Sequence, residues 1–273
     1  MLYLVSTPIG NLGDITHRAI ETLKLADYIL CEDTRHSKIL LNHLQIDKPL
    51  KSFHKFNESF KEDSIILDLK QGLQVALISD AGTPGIADPG CQLVQRCIAE
   101  GIEIVPIPGP CAAIAALSCS GFETNRFQFL GFLPRKSGEL KKLLQEAFVY
   151  AGTSICYESP FRLLQTLQAI HNIAPMQQIA VCRELTKKFE EIRRGTPQEL
   201  ISFWKDHTLK GEIVLLIDGE KAIEGQEWES LSAEEHVKML MDQYNLSQRD
   251  AIKMAAEMRG VPKRAIYNAV ITK

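Results

Sequence analysis

The sequence predicts an α/β protein with two α/β domains and a small helical tail at its carboxyl end. Its 273 residues exceed the roughly 100 to 200 residues of a single domain. Short runs rich in Val, Ile and Leu alternate with amphipathic stretches up to about residue 120, and a similar alternation follows a change of texture at 121–132. Such alternation is typical of a mostly parallel sheet covered by helices on both faces.

The first predicted domain spans residues 1–120 and contains four apolar runs that we expect to be buried strands. These strands are Leu2–Ser6, Tyr28–Glu32, Val75–Ser79 and Glu103–Ile107. Between them, Arg18–Ala26 and Glu58–Gly72 place apolar residues at helical spacing, and Gly72 ends the second of these helices.

The second predicted domain spans residues 121–219. Its predicted strands are Thr153–Tyr157, Gln178–Arg183, Glu190–Gly195 and Glu212–Asp218, and its predicted helices are Phe161–His171 and Pro197–Trp204. Because Gln178–Arg183 and Glu190–Gly195 follow one another without a helix between them, we expect a mixed sheet.

Residues 220–273 are predicted to be a linker followed by a small helical tail. Residues 220–245 carry 7 acids and 2 bases and include a polar, linker-like stretch, whereas residues 246–273 carry 6 bases and 2 acids. Ser247 as an N-cap, Gly260 as a stop and Pro262 in a first turn predict two short helices. This pair resembles a helix-turn-helix, and both a solvated helical cap and a nucleic-acid contact stay open as interpretations.

Composition and charge exclude several classes of protein for this chain. Hydrophobic residues make up 45% of the chain and charged residues 24%, which is typical of a globular protein. The net charge of -3 argues against unselective binding of nucleic acid, so any RNA contact is expected to be local. No apolar run reaches the roughly 18 residues of a membrane span, and no basic leader precedes the first apolar run. We therefore expect a soluble, cytoplasmic protein without a membrane partner.

Several kinds of site lack their motifs in this sequence. The 7 cysteines include no Cys-x-x-Cys pair, so we expect buried free thiols in a reducing cytosol and no metal. The phosphate loop G-x-x-x-x-G-K-[ST] is absent, as are G-x-G-x-x-G after the first strand, G-x-S-x-G and H-x-x-x-H. These absences argue against Walker-type nucleotide hydrolysis, dinucleotide binding, hydrolase triads and zinc peptidases.

Three loops rich in Gly and Pro follow predicted strands. They are STPIGNLGDIT after the first strand, SDAGTPGIADPG at 79–90 and PIPGPCAA at 106–113. In an open α/β sheet, ligands bind in the crevice beyond the carboxyl ends of the strands, so we expect these loops to converge on one rim. Glycines let the backbone approach a ligand and prolines stiffen it, which suits an adenosine-bearing ligand.

Charged residues follow other predicted strands. CEDTRHSK ends the second strand, and SFHKFNES lies further along the chain; YESPFR and CRELTKKFEEIRRG occur in the second domain. Solvated surface loops are one interpretation of these runs. The other is that cations hold phosphate while carboxylates polarise a hydroxyl at the same rim.

Taken in order, these motifs resemble those of the rRNA methyltransferases in the tetrapyrrole methylase superfamily. The resemblance rests on STPIGNLGDIT, CEDTR, SDAGTPGIADPG, PIPGP, FLGFLPRK, YESPFR and RELTKKFEEIRRGT followed by KGE, and it runs from Leu2 to about Asp218. One such motif has little weight, whereas seven in the same order are specific.

The resemblance implies a class III S-adenosylmethionine-dependent methyltransferase with two α/β domains, the cofactor in the cleft between them, acting as a homodimer. The implied reaction is methylation of a ribose 2'-hydroxyl on a cytidine in the decoding region of 16S rRNA, within the small ribosomal subunit. The residues implied to bind the cofactor are Pro8, Asp80, Gly82, Thr83, Ile86, Ala87, Pro108, Cys111, Ala112, Tyr157, Leu185, Gly211 and Ile213.

Two positions depart from the family pattern. Phe161 stands where a His is common after the Pro of the Y-E-x-P motif, so no mechanism here depends on that imidazole. Ala87 stands where a Ser is common, so a hydroxyl contact to the cofactor is lost if the family has one.

Methyl transfer from a sulfonium is an in-line displacement, for which alignment supplies most of the catalysis. The ribose hydroxyl is a poor nucleophile, so we expect a general base, with Glu32, Asp33 and Glu158 as candidates in that order. The residues assigned to RNA are Arg35, His54, Lys55, Arg162 and Lys187, and orienting a carboxylate stays open as an alternative role for Arg35. Phe53, His54 or Phe56 are expected to stack on a splayed base.

Three alternatives stay open. The same architecture methylates tetrapyrrole rings, so a precorrin-type acceptor is the nearest. A non-catalytic rRNA-binding assembly factor is the second, and it predicts binding without turnover. A nucleotide-dependent dehydrogenase is the third, although the absent glycine motif weakens it.

Overall fold

A computed structural model of the protein describes residues 1–207, 209–219, 228 and 231–271. The chain divides into two units. The first unit contains Met1–Ala115 together with Glu184–Glu190, and the second contains the rest of the described chain. These units reflect packing, and the domain limits at 120 and 219 stay predictions.

The first unit is built on a five-stranded parallel sheet. Its strands are β1 (Leu2–Val5), β2 (Tyr28–Cys31), β3 (Leu50–Ser52), β4 (Val75–Leu77) and β5 (Ile104–Ile107), in the order β3-β2-β4-β1-β5. Its helices are α1 (His17–Leu25), α2 (Thr34–His43), α3 (Glu58–Lys70) and α4 (Cys91–Ala99), and α5 (Ala112–Ser120) runs across the division. The predicted parallel sheet is confirmed.

Helices cover both faces of this sheet because successive strand residues are apolar. In β2, Tyr28 and Leu30 belong to one buried cluster, whereas Ile29 and Cys31 belong to another. In β4, Leu77 lies in the first cluster and its neighbour Ala76 in the second. Alternate side chains of a strand point to opposite faces, so each face has its own core.

The second unit contains a mixed sheet, as predicted. Its strands are β6 (Phe127–Phe132), β7 (Thr153–Glu158), β8 (Ile179–Arg183), β9 (Glu191–Gly195) and β10 (Ile213–Asp218), in the order β6-β7-β10-β8-β9. β6 and β7 are parallel, and the other neighbours are antiparallel. Its helices are α6 (Ser137–Val149), α7 (Leu163–Ile173), α8 (Pro197–Trp204), α9 (Ala233–Tyr244), α10 (Gln248–Met258) and α11 (Lys263–Ile271).

The strand β6 and the helices α2, α4, α5 and α6 were not among the predicted elements. Two further elements differ from the sequence prediction for local reasons. Helix α7 begins at Leu163 rather than Phe161 because the Arg162 amide closes a turn on the Ser159 carbonyl, which leaves Phe161 91% exposed. Within the acidic segment 220–245, helix α9 begins at a capping box formed by Ser232 and Glu235. Residues 220–227, 229 and 230 of the expected linker lie outside the described residues.

The carboxyl-terminal helices share the core of the second unit. Leu240, Ile252 and Ile266, one from each of α9, α10 and α11, belong to the same buried cluster as residues of β7 and β10. The tail is therefore packed on its unit by apolar contacts, and the two predicted short helices are confirmed.

The helices and the cysteines were also compared with the expectations of no membrane span and buried free thiols. No described helix combines the length and the hydropathy that crossing a membrane requires. All 7 cysteines are free thiols; Cys31, Cys97, Cys156 and Cys182 are buried, whereas Cys91 is exposed.

Candidate active site

The three loops that follow β1, β4 and β5 meet in the first unit. Thr7 and Gly82 exchange backbone hydrogen bonds of 2.9 and 3.1 Å. The Thr83 hydroxyl donates to the Pro110 carbonyl at 3.1 Å and lies 3.1 Å from the Ser6 hydroxyl. Thr83 therefore bridges the β1 and β5 loops, and the predicted convergence of the three loops is confirmed.

Glycine is required where these loops approach one another. Gly82 has a φ of +87°, and a Cβ there would lie 3.3 Å from Ile9 Cγ2 and 3.6 Å from the Pro110 carbonyl oxygen. A Cβ at Gly109 would lie 2.8 Å from the Ser6 Cβ, which is closer than side chains pack. Glycines at these two positions let the loops pack closely on one another, so their backbone groups stay in a fixed arrangement, which suits a ligand held by main-chain groups.

The remaining predicted cofactor residues of these loops differ in exposure. Pro8 is buried, Asp80, Ile86 and Pro108 are exposed, and Thr83, Ala87, Cys111 and Ala112 are half-buried. Ala87 has a φ of +64°, a left-handed conformation that is uncommon for a residue with a Cβ. This strained residue directly precedes Asp88, whose carboxyl group interacts with Glu32.

The strand order places a crevice beside β2 and β4. The two strands are neighbours, yet the chain leaves β2 toward β3 and leaves β4 toward β5, on the opposite side. Connections that diverge in this way mark the ligand-binding point of an open α/β sheet. Glu32 follows β2, and Asp80 and Asp88 follow β4, so carboxylates meet where the connections diverge.

Glu32 is the carboxyl group whose ionisation is most suited to catalysis at neutral pH. Burial raises the pKa of Glu32 to about 7, and the negative charges of Asp88 and Asp80 add to the rise, while Lys55 opposes it. A hydrogen bond to Asp88 raises the pKa of Glu32 further, and the same bond works to lower the pKa of Asp88, which burial raises overall. The two carboxyl groups therefore compete for one proton, and burial holds the pKa of both above the usual range.

Asp88 was not singled out by sequence reasoning. Its only signal was membership of the Gly- and Pro-rich loop, because its approach to Glu32 depends on the pairing of β2 with β4. The carboxylates of this cluster do not form a metal-ligating group, and neither does any other described set of His, Cys, Asp and Glu side chains.

Asp33 has a different environment from Glu32. Its carboxylate caps α2 by accepting the Arg35 amide at 2.8 Å, and it pairs with the Arg35 guanidinium at 2.7 and 3.1 Å. These hydrogen bonds from Arg35 hold the pKa of Asp33 well below its usual range. A carboxylate stabilised in this way is a weak base, and Arg35 is engaged in stabilising it.

A buried carboxylate supports the turn that contains Asp88. Glu58 is buried at the start of α3, and its Oε1 accepts the Gly90 amide at 3.1 Å. Gly90 has a φ of +126°, and a Cβ there would lie 2.7 Å from Leu77 Cδ2. Glu58 and Gly90 therefore fix the end of the β4 loop against the sheet.

The segment after β3 places only some of the expected RNA-contacting groups at the surface. Lys55 is exposed and acts electrostatically on Glu32, and Phe56 is 91% exposed. The His54 ring lies 3.1 Å from the Asn57 side-chain nitrogen and contacts the Phe56 ring edge-on. Phe53 is fully buried in the core, so the expected stacking role of Phe53 is wrong: its side chain fills the interior beneath the sheet.

The loop 184–190 packs in the first unit. Glu184 and Thr186 have φ values of +52° and +66°, and Leu185 between them is 9% exposed. The Lys187 ammonium contacts Glu184 at 3.0 Å, and the Lys187 stem occupies the space that a Cβ at Gly10 would need. Lys187, which was assigned to RNA, thus has a carboxylate partner within the protein.

Glu158 and Arg162 form a buried network in the second unit. The Glu158 carboxylate accepts hydrogen bonds from the Ser159 amide at 2.7 Å and the Thr166 hydroxyl at 2.6 Å. Arg162 lies 3.4 Å from Glu158 and donates to the carbonyls of Leu133 at 3.0 Å and Pro134 at 2.6 Å. These contacts favour a structural role for both side chains.

The other predicted cofactor residues of the second unit lie around the end of β7. The Tyr157 ring makes edge-on contacts with Phe129 at 5.0 Å and Phe132 at 5.4 Å between centroids. Ile213 opposes Glu158 in the antiparallel register of β10 with β7, and Gly211 just before it has a φ of +93°.

Comparison with known proteins agrees with this architecture. The model of the family described as Tetrapyrrole (Corrin/Porphyrin) Methylases matches residues 1–201. The crystal structure of uroporphyrin-III-C-methyltransferase from Thermus thermophilus is similar at a TM-score of 0.54 and 20% identity, covering 81% of this chain and 94% of that one. The structure of diphthine synthase is similar at a TM-score of 0.61 and 12% identity, covering 79% and 89%.

Curated relatives extend the similarity along almost the whole chain. A protein of Halalkalibacterium halodurans named ribosomal RNA small subunit methyltransferase I is 47% identical over 98% of this chain and 93% of its own. The protein of the same name from Bacillus subtilis is 45% identical with the same coverage. The chain therefore belongs to the tetrapyrrole methylase family and, within it, to the group of relatives named ribosomal RNA small subunit methyltransferase I.

Proposed function

We propose that the protein transfers the methyl group of S-adenosylmethionine to the ribose 2'-hydroxyl of a cytidine in the decoding region of 16S rRNA. The observation that carries this proposal is the 45 to 47% identity, over 98% of the chain, to relatives named ribosomal RNA small subunit methyltransferase I. The cytidine and its position are implied by the motif resemblance alone, whereas the raised pKa of Glu32 supports removal of a proton from a hydroxyl acceptor.

The loops of the first unit suit the cofactor. Gly82 and Gly109 let the loops pack closely on one another, and Thr83 ties the loops together so that their backbone groups stay in place. When bound, S-adenosylmethionine supplies a methyl group on a positively charged sulfur, which is an electrophile without further activation. The work left to the protein is alignment and removal of one proton.

Glu32 is the favoured general base among the three candidates. Its raised pKa lets the carboxylate accept the 2'-hydroxyl proton as the new oxygen–carbon bond forms, and the protonated group then donates to Asp88. Asp33 is stabilised in its ionised form by Arg35, and the oxygens of Glu158 are occupied by Ser159, Thr166 and Arg162.

Recognition of RNA at this site is assigned first to the segment after β3. Lys55 offers an exposed cation beside the Glu32 carboxyl, and Phe56 offers an exposed ring on which a splayed base can stack. Arg35, Arg162 and Lys187 have partners within the protein, so their phosphate contacts require an exchange of those partners.

A tetrapyrrole acceptor is the second candidate, favoured by the family match at 1–201. The structures of tetrapyrrole enzymes are only 16 to 22% identical to this chain, a level that reflects the fold alone. We further propose that the protein acts in the cytoplasm as a homodimer, which sedimentation equilibrium tests directly.

The deciding experiment maps 2'-O-methylation of 16S rRNA by mass spectrometry, using small subunits from cells that lack this protein. Incubation with purified protein and S-adenosylmethionine should add one methyl group to one cytidine ribose. A precorrin assayed in parallel should stay unmodified. Binding of subunits without methyl transfer would instead favour a non-catalytic assembly factor.

A further inference from the structure

Helices α10 and α11 present a group of cations that have no role in the proposed methyl-transfer site. They are joined by a turn at Gly260, which has a φ of +63°. Helix α11 contains Lys263 and Arg264 and no acidic residue in the sequence Lys263–Ile271. We call Arg249, Lys263, Arg264 and Tyr267 the tail surface; all four side chains are exposed.

The cations of the tail surface differ from their basic neighbours in lacking partners. Lys253 lies 3.6 Å from Glu257 and 4.0 Å from Glu146. Arg259 turns inward and donates to the Trp228 and Leu231 carbonyls and to the His236 ring. Within the part of the chain that the structure describes, no ion pair forms at Arg249, Lys263 or Arg264.

Two of these cations line the same groove. Arg249 of α10 and Lys263 of α11 border an open groove of about 240 Å³ that also contacts α6. The groove contains four bases, Lys142, Arg249, Lys253 and Lys263, and three acids, Glu146, Asp250 and Glu257. Glu146 and Glu257 contact Lys253, whereas Asp250 accepts the neutral Ser247 hydroxyl at 2.6 Å and keeps its charge. The lining of the groove is therefore positive by one charge.

An aromatic ring lies on the same helix face as these charges. Tyr267 is 49% exposed and follows Lys263 by four residues and Arg264 by three, the spacings that place side chains side by side on a helix. Ile266 is buried and holds α11 on the core of its unit. Cations beside an exposed ring match a phosphate backbone with a sugar or base next to it.

We propose that the tail surface is a second RNA-contacting surface, on which Arg249, Lys263 and Arg264 bind phosphates of the small-subunit rRNA and Tyr267 packs on a sugar or base. This inference rests on the proposed function for its partner. It is independent of the methyl-transfer site, because its residues lie in α10 and α11. The tail follows residue 201, where the tetrapyrrole methylase match ends, whereas the relatives named for the ribosomal small subunit match 98% of the chain.

The test compares two full-length triple variants with the same change of charge. One is Arg249→Gln, Lys263→Gln and Arg264→Gln. The control is Arg18→Gln, Lys24→Gln and Lys205→Gln, three exposed bases outside the tail surface and the methyl-transfer site. For each, the binding of purified small subunits is measured by filter retention over a salt series without cofactor, and methylation kinetics are measured with S-adenosylmethionine.

The tail-surface variant should bind subunits about tenfold more weakly, and the slope of log affinity against log salt should fall by about 2. Its KM for subunits should rise while kcat and cofactor affinity stay unchanged, and the control should match the wild type. Tyr267→Ala should weaken binding without changing the salt slope.

Three results overturn the inference. The first is that the two triple variants bind and methylate subunits equally. The second is that the tail-surface variant has a lower kcat but unchanged binding. The third is that the tail-surface variant loses binding to ribosomal proteins free of RNA but not to protein-free 16S rRNA. If the wild type binds subunits but does not methylate them, and the tail-surface variant still loses the salt-dependent binding, the proposed function is overturned and the RNA contact is retained.

Discussion

The pH dependence of methyl transfer should report the ionisation of Glu32. Only the carboxylate form accepts the proton of the ribose hydroxyl, so the rate follows the ionised fraction of this group. Burial and the charges of Asp88 and Asp80 raise the pKa of Glu32 to about 7, which is within the range of an ordinary assay.

The size of the effect follows from this pKa. A group with a pKa of about 7 is about one eleventh ionised at pH 6 and about ten elevenths ionised at pH 8, so the single-turnover rate should rise about tenfold between them. A glutamate at the ordinary value of about 4.3 would be almost fully ionised at both, and the rate would change by a few per cent.

Asp88→Asn should move the inflection to lower pH, because it removes the nearest negative charge and offers an amide donor to the ionised Glu32. Glu32→Gln should lower the rate by about 10² to 10⁴ and abolish the inflection. Asp33→Asn is the matched control, since Asp33 is already ionised throughout this range, and its profile should keep the inflection of the wild type.

The assay is single-turnover transfer of a labelled methyl group to small subunits at pH 5.5 to 8.5. Sedimentation of the subunits at each pH checks that the substrate is intact. A wild-type rate that is flat from pH 6 to 8, or an inflection that survives in Glu32→Gln, would refute the assignment of Glu32 as the base.

Three further predictions concern stability and cofactor binding. Because the pKa of Glu32 is higher in the folded protein than in the unfolded chain, ionisation of Glu32 destabilises the fold as the pH rises from about 4.5 to about 7. Glu32→Gln should therefore raise the free energy of unfolding at pH 8, by about 1 to 2 kcal/mol after solvent screening, and leave it unchanged at pH 4. Urea titration at the two pH values measures this difference. Gly82→Val should weaken the binding of S-adenosylmethionine more than tenfold, as measured by calorimetry. Gly85→Val is the control, because Gly85 has a similar φ of +81° but faces open space, and it should leave the affinity unchanged. Equal losses of affinity in the two variants would exclude crowding at Gly82 as the cause. Glu158→Gln should lower stability by about 2 kcal/mol because it weakens the contacts with Thr166 and Arg162, and the folded variant should keep its rate. A rate loss of over a hundredfold at unchanged stability would instead make Glu158 the base.

The sequence by itself determined most of the secondary structure, because the signals are local. Apolar runs place the strands, and capping residues place helix ends such as that of α10 at Ser247. The sequence singled out Gly82 as a point where the backbone approaches a ligand, whereas the close packing of the loops at Gly82 and Gly109 is seen only in the structure. The same local reasoning ranked Glu32, Asp33 and Glu158 in that order as candidate bases, but it could not distinguish their ionisation.

Only the tertiary structure separated these carboxylates, because a pKa depends on burial and on charges that are distant in sequence. The order β3-β2-β4-β1-β5 brings Asp88 to Glu32, while Arg35 neutralises Asp33 and the start of α7 occupies Glu158. Phe53 shows the same limit, since the sequence pattern could not tell an aromatic side chain beneath the sheet from one at its rim. Residue types and their order fixed what chemistry was available, and strand pairing decided which of those groups meet.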